Sequence, residues 1–115
     1  MFEYRAKVLN VVDGDTIDVE FDLGFDTYRN ERIRLTGIDT PEIRTRDLEE
    51  KHRGLCAKER VVELILGKEV TIRTVKDKTE KYGRYLGEVI LTDGVSLNNL
   101  LVIEGLAKFY NGEKK

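Results

Sequence analysis

Several residue types that mark particular protein classes are scarce in this sequence. Its 115 residues include one cysteine, Cys56, one proline, Pro41, and no tryptophan. A single cysteine excludes an internal disulfide bond and is typical of a reducing compartment. No apolar run approaches the roughly 20 residues of a membrane span, and the N-terminal residues lack the basic start and apolar core of a secretory signal. We therefore expect no membrane partner and a cytoplasmic location, or secretion if a signal peptide has been removed.

A strong excess of one charge is also missing. The chain has 20 Lys and Arg residues against 22 Asp and Glu residues, a net charge of −2. Nucleic-acid binders are often basic, so this balance argues weakly against one, although a bound divalent cation would offset part of the acidity. Charged residues of both signs make up 37% and hydrophobic residues 40%. This profile and length predict one folded domain spanning residues 1–115.

Alternating apolar and polar residues predict five strands. The clearest is 16–22, where Ile17, Val19 and Phe21 alternate with polar residues. Comparable patterns predict the other strands over residues 4–12, 31–38, 68–75 and 84–91. A polar loop is expected over 77–83, before the last of these strands.

Helical spacing predicts two helices. The first covers residues 55–66, with a start that could lie as early as Asp47, and Leu55, Val62 and Leu66 share its apolar face. The second runs from the N-cap Ser96 to about residue 104. Three strands, a helix, two strands and a helix indicate an α+β protein, a five-stranded Greek-key OB-fold β-barrel with two to three packed helices.

The single proline lies in the stretch D-T-P-E, residues 39–42, directly after a predicted strand. One interpretation is a rigid turn in which Asp39 or Thr40 bonds to the backbone. The other is a cation site, because carboxylates and main-chain carbonyls are ligands of hard cations such as Ca²⁺. The stretch D-G-D-T, residues 13–16, has the same two interpretations, a tight hairpin turn or a turn that presents Asp15 as a metal ligand. Two such stretches in one chain support a cation site more strongly than either stretch alone.

Two arginines accompany these carboxylates. Arg34 lies on the polar face of its strand, five residues before Asp39, and Arg84 follows Lys81, Tyr82 and a glycine. Either arginine alone is most simply a solvated surface charge. Two guanidinium groups that converge on a cation site could hold a phosphate bidentately and stabilise the charge of its transition state.

These motifs together carry a family resemblance. D-G-D-T, R-L-x-G-I-D-T-P-E, K-Y-G-R and E-G-L-A-K occur in this order, and the chain resembles the staphylococcal nuclease (thermonuclease) family over nearly its whole length. The resemblance implies an OB-fold barrel and a Ca²⁺-dependent endonuclease that hydrolyses phosphodiester bonds of DNA and RNA. It also implies a preference for single-stranded regions and products with 3′-phosphate ends. We expect a monomer.

The resemblance also implies roles for particular residues. The carboxylates of Asp15 and Asp39 and the main-chain carbonyl of Thr40 would be the metal ligands. Arg34 and Arg84 would grip the scissile phosphate. Glu42 would act as general base or orient the attacking water. The substrate-binding residues would be Lys81 and Tyr82, which match contacts to the neighbouring phosphate, and Tyr110, in place of a tyrosine that stacks on a base.

The C-terminus differs from the family pattern. Longer members continue after the G-L-A-K segment into tyrosine-bearing segments and a further helix, whereas this sequence reads G-L-A-K-F-Y-N-G-E-K-K and stops. We therefore expect a short variant that lacks most of the C-terminal helix.

One rival function is a catalytically inactive OB-fold module that binds nucleic acid or a protein partner. Inactive members of such a family typically lose an acidic ligand or an arginine. All five expected groups are present here, which favours the enzyme: Asp15, Arg34, Asp39, Glu42 and Arg84.

Overall fold

A computed structural model of the chain describes residues 2–79 and 83–110, with the backbone alone described for 75–79. Two helices and seven strands lie in this part of the chain. In chain order they are β1 (Phe2–Asp13), β2 (Thr16–Asp22), β3 (Tyr28–Leu35), β4 (Ile38–Asp39), α1 (Leu48–Ile65), β5 (Glu69–Thr79), β6 (Tyr85–Ile90), α2 (Leu97–Ile103) and β7 (Lys108–Phe109).

Five of the strands form a closed barrel in the order β1-β2-β3-β6-β5, with β5 pairing back onto β1. Strands β3 and β6 run parallel, and the other barrel pairs are antiparallel. This closure and order confirm the predicted OB-type barrel in an α+β protein. Strands β4 and β7 form a separate two-stranded pair that the sequence pattern did not predict.

The core fills the barrel and the space beneath α1. Alternate residues of β2 point inward, and Ile17, Val19 and Phe21 are all buried, as the alternation predicted. The largest fully buried side chains come from both the barrel and the helices: Ile17, Ile33, Leu35, Ile38, Ile65, Ile72, Leu97 and Leu101.

The buried face of α1 differs from the predicted one. Leu55 and Leu66 are 40% and 42% exposed, and the buried positions are instead Gly54, Ala57, Val61 and Ile65. At Gly54 the helix lies so close to the main chain of Pro41 and Glu42 that a Cβ atom would not fit without a shift. A pattern that assigns large apolar residues to the core therefore selected the wrong face.

Several element boundaries also differ from the prediction, and β3 ends at Leu35 rather than at residue 38. Helix α1 begins at Leu48, and Asp47 is its N-cap, at the earliest predicted start. Strand β3 begins at Tyr28 rather than 31, and β5 continues through Thr79 into the expected loop. Neither helix in the described part of the chain is long and apolar enough to cross a membrane.

A buried amide on α2 joins β3 to β6. Nδ2 of Asn98 donates to the carbonyl oxygens of Thr36, at 2.8 Å, and Gly87, at 3.4 Å. Its Oδ1 accepts from the N–H of Val89 at 3.2 Å. Because Arg34 lies near the end of β3 and Arg84 directly precedes β6, this amide helps to fix the backbones that position the two arginines.

Candidate functional site

The D-G-D-T stretch forms the two-residue connection of the β1–β2 hairpin, with Asp13 paired to Thr16 across the strands. The hairpin-turn interpretation is therefore correct, and the same turn buries Asp15, which is 8% exposed. The carbonyl of Asp15 accepts from the N–H of Leu35 at 2.8 Å, which joins the turn to the end of β3. A carboxylate is thereby held where β1, β2 and β3 meet.

Three groups surround the Asp15 carboxylate. Its Oδ2 accepts from the main-chain N–H of Thr40 at 3.1 Å, and its Oδ1 accepts from the Thr16 hydroxyl at 3.3 Å. Nη1 of Arg34 lies 3.5 Å from the same Oδ2. The D-G-D-T and D-T-P-E stretches, 25 residues apart at Asp15 and Thr40, are therefore joined by a direct hydrogen bond.

Arg34 lies between two carboxylates. Its Nη2 donates to Oδ1 of Asp39 at 3.3 Å, in addition to the Asp15 contact, and Nη1 donates to the carbonyl of Leu35 at 2.9 Å. The alternation of β3 turns Arg34 away from the barrel core while Ile33 and Leu35 point into it. Only 12% of the Arg34 side chain is exposed, so its charge acts in a partly desolvated environment.

Asp39 is a carboxylate of this site whose affinity for protons is altered. Burial raises its pKa above the ordinary value, and the nearby negative charge of Asp15 raises it further. The cations of Arg34 and Lys108 act in the opposite direction and do not cancel the rise. Lys108 is paired with Asp39 across β4 and β7. Burial of the carboxylate is the largest of these influences on the Asp39 pKa.

The second predicted arginine approaches this cluster through a hydroxyl group. Nη1 of Arg84 donates to Oγ1 of Thr16 at 3.2 Å, and the same hydroxyl donates to Asp15. Arg34, on β3, thus lies beside the Asp15 carboxylate, and Arg84, the residue directly before β6, reaches it through Thr16. Strands β3 and β6 pair in parallel.

Glu42 and Tyr110 have main-chain hydrogen bonds to residues outside this cluster. Glu42 is exposed, and its main-chain N–H donates to Oε2 of Glu50 at 3.0 Å. The N–H of Tyr110 donates to the carbonyl of Gly37 at 2.8 Å, which places this residue beside the turn before β4. Lys81 and Tyr82 lie outside the described residues.

The donor chemistry of the cluster suits a hard cation. Within residues 2–79 and 83–110, no three histidine, cysteine or carboxylate side chains converge as a metal site. The oxygen donors predicted from the sequence are the Asp15 and Asp39 carboxylates and the Thr40 carbonyl. Ca²⁺ and Mg²⁺ accept such donors and complete their coordination with water or substrate oxygens. The two neighbouring carboxylate charges also favour a cation.

Three residues with direct contacts in or beside the cluster had no role assigned from the sequence. Thr16 and Lys108 belong to the quoted D-G-D-T and G-L-A-K motifs, so the motifs themselves contained the signal. Glu50 lies in a charged helical segment, and its contact with the D-T-P-E stretch has no local sequence signal.

The fold and this cluster define the class of the protein. It is an OB-type barrel with two carboxylates and two arginines gathered where the ends of its strands meet. The model for the family described as staphylococcal nuclease homologue matches residues 32–115, more than half of the chain. The chain belongs to this family.

Individual relatives agree with the family assignment. The chain is 33% identical over 108 residues to an uncharacterized endonuclease of Escherichia coli O157:H7, covering 94% of this chain and 62% of the relative. It is 35% identical over 105 residues to the thermonuclease of Staphylococcus intermedius, with coverage of 90% and 59%. For the thermonuclease of Staphylococcus hyicus the identity is 32% over 115 residues, with coverage of 98% and 64%. The chain thus spans about three-fifths of the length of these curated relatives.

Proposed function

We propose that this protein is a Ca²⁺-dependent endonuclease that hydrolyses phosphodiester bonds of DNA and RNA. We further propose that it prefers single-stranded regions and leaves 3′-phosphate ends. Relatives named as endonucleases and thermonucleases support the reaction class. The single observation that carries the proposal is the position of Arg34 between the carboxylates of Asp15 and Asp39, with Arg84 one hydroxyl group away.

The chain provides a set of oxygen ligands for the cation. Asp15 and Asp39 would hold it through their carboxylates and Thr40 through its main-chain carbonyl. When bound, calcium neutralises charge on the substrate and polarises the phosphoryl oxygen. The hydrogen bond from the Thr40 N–H to Asp15 would keep the first and last of these ligands in a fixed relation. A preorganised site of this kind needs little rearrangement when charge develops in the reaction.

The two arginines would bind the scissile phosphate. Each guanidinium group carries five N–H donors in a planar array that matches phosphate oxygens. Arg34 uses Nη1 and Nη2 for its protein contacts and has further N–H groups for a substrate oxygen. The partial burial of Arg34 strengthens its attraction to the extra negative charge of the transition state.

Glu42 would take a proton from the attacking water, a contribution of typically about 10²- to 10⁴-fold. In this scheme the water oxygen forms a bond to phosphorus and the bond from phosphorus to the leaving 5′ oxygen breaks. That oxygen takes a proton from a solvent water. The 3′ oxygen keeps the phosphate, which gives the 3′-phosphate end. Lys81, Tyr82 and Tyr110 would contact the neighbouring phosphate and an unstacked base.

Cleavage of a 5′-labelled single-stranded DNA with Ca²⁺, with Mg²⁺ and with EDTA tests this proposal. We expect cutting with Ca²⁺, none with EDTA, and products whose mass includes a 3′-phosphate. A matched RNA strand and a DNA duplex measure the substrate preference in the same assay. Cutting that continues in EDTA, or products with 3′-hydroxyl ends, would contradict the proposal. The monomeric state and the cytoplasmic location stay predictions from the sequence.

A further inference from the structure

The side chain of Glu50 departs from the usual arrangement at a helix start. Asp47, the N-cap of α1, accepts from the N–H groups of Glu49 and Glu50 at 3.1 and 3.2 Å. A glutamate at the third helical position commonly accepts the N-cap residue's own N–H in return. Here the Asp47 N–H donates to Oγ1 of Thr45 instead, at 3.2 Å. The Glu50 carboxylate accepts from the N–H of Glu42, eight residues earlier, at 3.0 Å.

Helix α1 also lies close to the D-T-P-E stretch at Gly54, four residues after Glu50. Gly54 is buried, and a Cβ atom at this position would lie 2.6 Å from the carbonyl oxygen of Pro41 and 3.0 Å from that of Glu42. Any larger residue at position 54 would therefore displace either the D-T-P-E stretch or the helix. Glycine inside a helix costs about 0.5–1 kcal/mol relative to alanine, and the close approach explains its presence here.

The D-T-P-E stretch, which continues from β4 without forming a turn, is consequently held at two points by different elements. The N–H of Thr40 is bound by Asp15 of the β1–β2 hairpin. The N–H of Glu42 is bound by Glu50 of α1. A single link at Thr40 would leave Pro41 and Glu42 free to pivot about it, whereas the second link restrains the backbone that carries the Glu42 carboxylate.

We propose that Glu50 is a positioning residue for Glu42, and that Gly54 provides the space for this arrangement. The proposal rests on the proposed function, because it assigns Glu50 to the placement of the group that receives the proton. Glu50 acts through the Glu42 main chain and does not touch the substrate. A misplacement of about 1 Å at a reacting group can lower a rate by about 10²-fold, so one hydrogen bond at this point has a measurable effect on turnover.

Three variants separate positioning from simple loss of charge. Glu50→Ala removes the acceptor, Glu50→Gln keeps a carbonyl acceptor without the charge, and Glu49→Ala is the matched control. Glu49 and Glu50 lie in the same first turn of α1, so removing either charge has a similar effect on the helix dipole. We expect Glu50→Ala to lower kcat about 10- to 100-fold on single-stranded DNA. The KM and the Kd for calcium should stay within about twofold.

The expected rescue is specific. Glu50→Gln should recover most of kcat and Glu49→Ala should match the wild type. A merely structural role would lower the thermal midpoint of Glu50→Ala without this split between kcat and KM. Equal kcat values for Glu50→Ala and Glu49→Ala would overturn the proposal, as would a Glu50→Gln variant as slow as Glu50→Ala.

A second measurement does not depend on cleavage. Hydrogen exchange of the Glu42 amide, followed by NMR in the metal-free protein, should be faster in Glu50→Ala than in Glu49→Ala. Unchanged exchange would overturn the positioning contact even in an active enzyme. An inactive wild type with accelerated Glu42 exchange in Glu50→Ala would instead contradict the nuclease function and leave the contact established, so the two failures are distinguishable.

Discussion

Nη1 of Arg34 lies 3.5 Å from Oδ2 of Asp15, and only 12% and 11% of the two side chains are exposed. The same guanidinium group bonds to Asp39, so one cation lies between two carboxylates that would otherwise face each other. The arrangement has two consequences. It should stabilise the fold when no metal is bound, and it keeps the guanidinium group proposed to bind phosphate beside the carboxylates proposed to bind a cation.

Replacing Arg34 should therefore destabilise the metal-free protein. We expect Arg34→Ala to lower the free energy of unfolding by about 3 kcal/mol, because it leaves partly buried carboxylates without their shared cation. Urea unfolding in EDTA measures this change. Calcium should restore part of the loss by supplying another cation.

Arg32→Ala is the matched control for that prediction. Arg32 lies on the same strand and pairs with Asp18 at 2.8 Å, but 52% of its side chain is exposed. Exposed pairs contribute about 0–1 kcal/mol. Equal destabilisation by the two substitutions would mean that Arg34 does not neutralise the carboxylates as its contacts indicate.

The raised pKa of Asp39 predicts an unusual effect of pH on stability. The folded state binds the Asp39 proton more tightly than the unfolded state does. The stabilisation that this proton gives the folded state is therefore fully present below the unfolded pKa. It is lost as pH rises through the raised, folded pKa. Asp39→Asn should remove this loss and give a higher urea midpoint than wild type at pH 7 in EDTA.

Calcium should reverse the order of the urea midpoints, so that the wild type becomes more stable than Asp39→Asn. A cation that binds the folded wild type raises its midpoint, whereas Asp39→Asn lacks one ligand and should respond far less. A pH profile in EDTA that is parallel for wild type and Asp39→Asn would contradict the assignment of the raised pKa to Asp39.

The position of Gly14 predicts a steric coupling between the β1–β2 turn and α1. A Cβ at residue 14 would lie 2.9 Å from Cβ of Ala57 and 3.0 Å from Cγ2 of Thr40. Gly14→Ala should lower the free energy of unfolding by about 1–3 kcal/mol. In the double variant Gly14→Ala/Ala57→Gly the clash with the helix is removed, so the two effects should be non-additive by at least about 0.5 kcal/mol. Strict additivity in urea unfolding would show that the turn relaxes away from the helix.

Strand positions could be predicted from the sequence where a pattern was long and one face was buried. Strand β2 (Thr16–Asp22) has the bounds that alternation predicted, and Ser96 is the N-cap of α2 as expected. The face of α1 could not be predicted in the same way. Its contact surface is set by how closely Gly54 and Ala57 approach other backbone, which is a property of tertiary packing.

The candidate site also has some residues that the sequence predicted and others whose contacts depend on the tertiary structure. The motifs led to Asp15, Arg34 and Asp39, which the structure places in one cluster of contacts. The contribution of Lys108 depends on β7, a two-residue strand that is too short to produce a periodic pattern. The Glu50 contact depends on a carboxylate that reaches back past its own helix cap, where the local sequence favours a capping box.

The most direct test of the central claim is the rate at which wild type and Arg84→Ala cut single-stranded DNA at saturating Ca²⁺. Arg84 contacts the cluster through the Thr16 hydroxyl. Removing one group that stabilises transition-state charge costs about 10²- to 10³-fold in rate, so we predict a loss of this size in a variant that circular dichroism shows to be folded. Folded Arg84→Ala that cuts at the wild-type rate would contradict the account. So would a wild type that binds the strand without cutting it, the behaviour expected of an inactive binding module.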